Sequence, residues 1–93
     1  MRVLILSLDI RIPGCRSLKE RRGLLEPLKK RLRRDLNLSV SELEPRNSPD
    51  RARLGIAAVV DHRAAGDSQL EKIRSIIDRE HRLSVLEEDL EYW

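Results

Sequence analysis

Apolar and polar residues alternate from residue 2 to residue 12. Leu4, Leu6, Leu8, Ile10 and Ile12 fall on one side; Val3, Ile5, Ser7, Asp9 and Arg11 fall on the other. This period of two predicts a central strand with one buried face and one mixed face. Pro13-Gly14 ends it. The period then lengthens. Ser17-Leu18-Lys19-Glu20 has the spacing of a capping box, in which a hydroxyl and a carboxylate each satisfy an amide at a helix start. Leu18, Leu25, Leu28, Leu32 and Leu36 follow at helical spacing with Leu24 beside them, and Asn37 can end the helix. Pro27 lies inside this pattern with Gly23 four residues before it, so a kink or loosening is expected at 23–27.

Further along, Leu38 to Leu43 predicts a second strand, with a bulge because Leu43 departs from the alternation of Leu38 and Val40. Pro45 to Asp50 reads as a polar hairpin loop. Residues 51–60 alternate again, with Leu54, Ile56, Ala58 and Val60 inward and Arg53, Gly55, Ala57 and Val59 outward. Asp61 to Gly66 reads as a loop. Ser68-x-x-Glu71 reads as a second capping box, and Leu70, Ile73, Ile76 and Ile77 give the helix after it an apolar stripe. Leu83 to Leu90 predicts an acidic edge strand. The order β-α-β-β-α-β predicts an α+β domain with the ferredoxin-like split βαβ plan. Two helices then cover one face of a four-stranded antiparallel sheet, and the other face is open.

Composition narrows what such a domain can do. Ninety-three residues fit a single domain, 1–93, with a modest core. Phe is absent, and the aromatics are Tyr92 and Trp93, so the core is aliphatic and no platform exists for stacking bases. An RNA-recognition motif is excluded on the same ground, since Arg53-Leu54-Gly55-Ile56-Ala57 stands where its aromatics belong. Net charge is +3 but unevenly spread: residues 16–36 hold nine basic against three acidic residues, and residues 64–93 hold four against eight. Such polarity suits a polyanion or acidic partner at one side, or charge-steered self-association. The single cysteine, Cys15, rules out an internal disulfide and fits a reducing cytoplasm. No signal peptide and no membrane span are expected.

Three segments together carry a resemblance: Ser17-Leu18-Lys19-Glu20-Arg21-Arg22, Asn37-Leu38-Ser39-Val40-Ser41-Glu42, and Arg51-Ala52-Arg53-Leu54-Gly55-Ile56-Ala57-Ala58-Val59-Val60. Across nearly its whole length the chain resembles the YlxP-like family, small bacterial proteins of unknown molecular function. The resemblance implies a ferredoxin-like fold and a cytoplasmic bacterial protein. It also implies a gene among those for transcription termination, translation initiation and ribosome maturation, hence a ribosome-linked role. It supplies no catalytic residues.

Two surfaces are candidate sites. On the first helix, Arg22, Lys29, Lys30, Arg33 and Arg34 are expected to face outward and to contact phosphates of rRNA, or a ribosome-associated protein. A solvated face whose aliphatic stems shield the core is the plain alternative. On the open sheet face, Val3, Ile5, Ala57 and Val59 are too apolar for a fully wet surface and mark a dimer or partner contact, unless Tyr92-Trp93 folds back over them.

Catalytic readings are weak, and a non-enzymatic protein is expected. Cys15 and Arg21 have a Cys-x5-Arg spacing, but no phosphate-wrapping loop separates them. Acylphosphatases share the fold plan, yet their phosphate-binding motif is missing here. Asp9 and Glu42 are not marked as an acid–base pair. Neither His62 nor His81 has a partner at metal-ligand spacing. No cofactor, metal or small-molecule substrate is implied.

Overall fold

The sheet is built around β1 (Arg2–Arg11), the strand with the strictest alternation, in a computed structural model that describes residues 1–43 and 48–93. Elements follow in the expected order: α1 (Leu18–Asp35), β2 (Ser39–Glu42), β3 (Arg51–Val60), α2 (Arg63–Asp78) and β4 (Ser84–Tyr92). Strand order is β2-β3-β1-β4, antiparallel throughout. This is the ferredoxin-like α+β arrangement.

The long apolar faces of β1 and β3 meet the helices. Leu4, Leu6, Leu8 and Ile10 pair across the ladder with Ala58, Ile56, Leu54 and Ala52, and all eight are buried. Leu24, Leu25, Leu28 and Leu32 of α1 and Leu70, Ile73, Ile76 and Ile77 of α2 close the core over them. Gly14 sits at φ +78° in the turn that Cys15 N–H closes onto the Ile12 carbonyl, a backbone state that glycine adopts without steric cost.

Several local expectations are corrected. The capping hydroxyl of Ser17 accepts from the Glu20 amide as expected, but the Glu20 carboxylate reaches one residue further back and accepts from the Arg16 amide. Leu18 is half exposed, since it precedes the first full turn that faces the sheet, and Leu36, not Asn37, caps the helix end. α1 runs unbroken through Pro27: Gly23 and Pro27 both lie on the exposed side, where the carbonyl that loses its donor meets water. The second helix starts earlier than Ser68. His62 is its N-cap, and the His62 Nδ1 atom accepts from the Ala65 amide, so residues 63–66 are helical and Ser68 lies inside.

The strands carry further differences. β2 keeps its register against β3 without a bulge, because Leu43 continues the side of Ser39 and Ser41 while Leu38, Val40 and Glu42 point to the helices. The irregularity lies between β1 and β4, where the partner of Asp9 is Glu87 and that of Ile10 is Val85, leaving Leu86 as the extra residue. Val60 is half-buried at the end of β3. Of the expected hairpin loop from Pro45 to Asp50, residues 45–47 lie outside the described residues.

The α2–β4 connection is tied by one carboxylate. Glu80 accepts from the Arg82 guanidinium at 2.9 and 3.0 Å and from the Arg82 amide at 3.1 Å. These bonds, led by the guanidinium, hold its acidity at about 2, below the usual 4.5. A depressed carboxylate pKa stabilises the fold above the unfolded value, and that contribution fades as pH falls from about 4.5 through about 2. Glu80→Gln is therefore expected to cost about 1 kcal/mol at neutral pH and much less near pH 2, as read from urea unfolding at both pH values.

Candidate functional site

The basic helix divides into an inward and an outward set. Arg21 and Lys29 are buried at 7% and 9% exposure, both on the leucine side of α1. The Arg21 guanidinium donates to the carbonyls of Arg51 at 2.9 Å and Ser48 at 3.2 Å, and its other terminal nitrogen lies 3.8 Å from Glu42. Lys29 pairs with Glu26 at 2.7 Å and approaches the second oxygen of Glu42 at 3.9 Å. The Lys29 ammonium, by bond and by charge, holds the Glu26 carboxyl below its usual range. The expectation that Lys29 faces outward is thus corrected: Glu42 on β2 draws it inward. Residues from all three segments that carry the resemblance converge here, Arg21, Glu42 and Arg51, in a clamp between α1, β2 and the start of β3.

The outward set remains on the surface. Arg22, Lys30 and Arg34 are exposed, as is Lys19 one turn before Arg22. Arg34 donates to Asp35 at 2.8 Å, and both side chains are well exposed; pairs of this kind hold weakly in water. Arg33 is exposed but commits one nitrogen to the Val40 carbonyl at 2.7 Å, which anchors α1 to β2. Lys19, Arg22, Lys30 and Arg34 span about 22 Å of helix, with the short side chains of Gly23 and Pro27 between them. The sequence candidates omitted Lys19, although it stands within the same helical face.

The opposite side of the molecule is the open sheet face. Val3 pairs with Val59, and Ile5 with Ala57, so the four apolar candidates lie side by side on the two central strands. Val59 is 63% exposed. Tyr92 does not fold over them. Its hydroxyl bonds Asp67 at 2.7 Å and its ring lies under the Arg63 guanidinium at 4.5 Å, on the helix side. Trp93 instead extends the open face beside Val3, joined to it by two backbone hydrogen bonds of 2.8 and 2.9 Å. Ser39, Ser41, Leu43 and Gly55 complete the face toward β2, around a shallow depression of about 330 Å³. A larger hollow of about 470 Å³ beside α2 is lined by Arg74 and other polar residues. Arg74 there is already held by Glu88 at 2.6 Å and Glu71 at 2.7 Å.

The residues weighed for catalysis stand apart from one another. Cys15 is half-buried and its thiol donates to the Ser17 carbonyl at 3.5 Å, while Arg21 turns away into the clamp. His62 serves as a helix cap. Among the described residues, no group of three or more His, Cys, Asp or Glu side chains is placed to hold a metal. No described helix is long and apolar enough to cross a membrane.

Comparison with known proteins gives a consistent picture. A family model described as "Protein of unknown function (DUF503)" matches residues 3–90. The uncharacterized protein YlxP of Bacillus subtilis (strain 168) is 34% identical over 62 residues, covering 67% of this chain and 67% of that protein. Among solved structures, the de novo designed protein Foldit4 superposes with a TM-score of 0.55 at 17% identity, over 98% of this chain and 96% of its own. The designed ferredoxin-fold protein LFR1 1 gives 0.58 at 11% identity, over 100% and 84%. At such identities the two designs speak for the fold alone.

Proposed function

This chain belongs to the DUF503 family, whose description names no activity, and from that premise we propose that it is a non-catalytic RNA-binding accessory protein acting through the outer face of α1. The supporting observation is the single exposed row of Lys19, Arg22, Lys30 and Arg34 on one rigid helix. Cations held at fixed spacing displace counterions from a phosphate backbone, giving affinity that depends on salt and little on sequence. The absence of aromatics from that helix fits backbone contact without base stacking. An anionic membrane suits the face poorly, because among the described residues half-exposed Leu18 is the one large apolar side chain near it. The ribosome-linked role implied by the resemblance makes structured ribosomal RNA the polyanion of choice.

Filter retention of a structured ribosomal RNA fragment at about 50 mM salt is the direct test. Retention by the parent protein is expected, with the bound protein released as salt rises. A parent that retains no RNA under these conditions overturns the proposal.

A further inference from the structure

We infer that the open sheet face docks a basic, apolar segment of another protein, independently of the RNA contact on α1. The face is graded from apolar to acidic across its strands. Register places Ser39, Ala57, Ile5 and Glu91 in one row, and Ser41, Gly55, Ser7 and Asp89 in the next. Residues directly opposite one another in a ladder share a side, so Glu87, Asp89 and Glu91 form an acidic stripe along the β4 margin of this face. All three are exposed.

The apolar part has shape as well as composition. A Cβ on Gly55 would lie 2.9 Å from a Leu43 methyl, so the missing side chain is what lets Leu43 lie over the sheet. Leu43 forms one wall, Ile5 and Ala57 form the floor, and the depression of about 330 Å³ lies between them. Val59 and Trp93, 63% and 72% exposed, continue the apolar surface along β3 and past β4. An exposed tryptophan beside an apolar hollow is the kind of residue that anchors protein contacts.

Charge selects the occupant. Arg53 is the cation nearest the hollow, and it is engaged with Asp89 at 3.7 Å and the Ser7 hydroxyl at 3.3 Å; Arg11 and Arg51 stand on the same side at the far end of the face. Glu87 and Glu91 make no ion pair among the described residues. A nucleic acid or an anionic lipid is repelled by the stripe. A second copy, packed sheet to sheet about a two-fold axis, brings the stripe either onto its own counterpart or onto Ser39, Ser41 and Leu43, which supply no cation. A segment that alternates apolar residues with Lys or Arg satisfies both halves of the face at once.

Selection of random twelve-residue peptides on the immobilised protein tests this, run in parallel on Glu87→Gln/Asp89→Asn/Glu91→Gln and on Val59→Asp. These substitutions are at exposed positions, and circular dichroism checks that each variant is folded. Enriched peptides should combine net positive charge with apolar residues, and their affinity should fall about tenfold or more on the neutralised face. They should also be lost on Val59→Asp. No enrichment, enrichment of neutral or acidic peptides, or binding to either variant as tight as to the parent overturns the inference. So does a parent that sediments as a dimer and dissociates on Val59→Asp, since the face is then filled by a second copy.

Discussion

Arg21→Ala is expected to destabilise the protein by about 2–4 kcal/mol, a large share of the stability of a domain this small. The side chain spans from α1 to two carbonyls of the turn entering β3 and to Glu42 on β2. Truncation strands those carbonyls and leaves Glu42 with Lys29 at 3.9 Å. Arg21 is the more deeply buried partner, its side chain 9% exposed against 28% for Glu42, so Glu42→Gln should cost less, about 1–2 kcal/mol. The double variant should cost less than the sum of the two, because both act on one contact. Urea unfolding with an unchanged denaturant slope reads these values. A loss under about 0.5 kcal/mol for Arg21→Ala would mean that the clamp adds nothing to the fold.

Reversing the outer face has the larger effect on binding. Arg22→Glu/Lys30→Glu/Arg34→Glu removes three phosphate contacts and replaces each with repulsion, so RNA affinity at low salt should drop by about 100-fold or more. Stability should change little, because the three side chains are exposed and one weak surface pair, to Asp35, is lost. Lys29→Gln should behave in the opposite way. It breaks the pairing of buried Lys29 with half-exposed Glu26 and with Glu42 and lowers the unfolding midpoint, while RNA affinity stays within about twofold of the parent. Titration of labelled RNA, followed by anisotropy, separates the two variants. A Lys29 variant that loses RNA while remaining stable would place the contact on the wrong side of the helix.

Much of this architecture follows from local pattern. The alternation from Leu4 to Ile12, the Ser17 cap and the leucine spacing of α1 are short-range signals, and the fold realises all three. The start of α2 is less legible because a histidine ring nitrogen takes the capping role for which Ser68 has the sequence spacing. Lys29 stands four residues after Leu25, and Arg21 four before it, so helical spacing alone sets both beside the stripe. What turned them from surface charges into a clamp lies far away in sequence, at Glu42, Ser48 and Arg51. The bulge at Asp9/Ile10 and the folding of Leu43 over Gly55 likewise depend on strand pairing. The apolar candidates of the open face were readable as alternate positions; the acidic stripe beside them needed the β1–β4 register.

The salt dependence of RNA binding tests the central claim most directly. Four phosphate contacts, from Lys19, Arg22, Lys30 and Arg34, predict a slope of log affinity against log salt of about −2.8 to −3.6. Affinity should then fall about 50- to 150-fold for a fourfold rise in salt, and the slope should flatten as each of the four is neutralised. A slope near zero, or one that is the same in the parent and in a variant lacking all four cations, would contradict the assignment of α1 as the RNA-binding face.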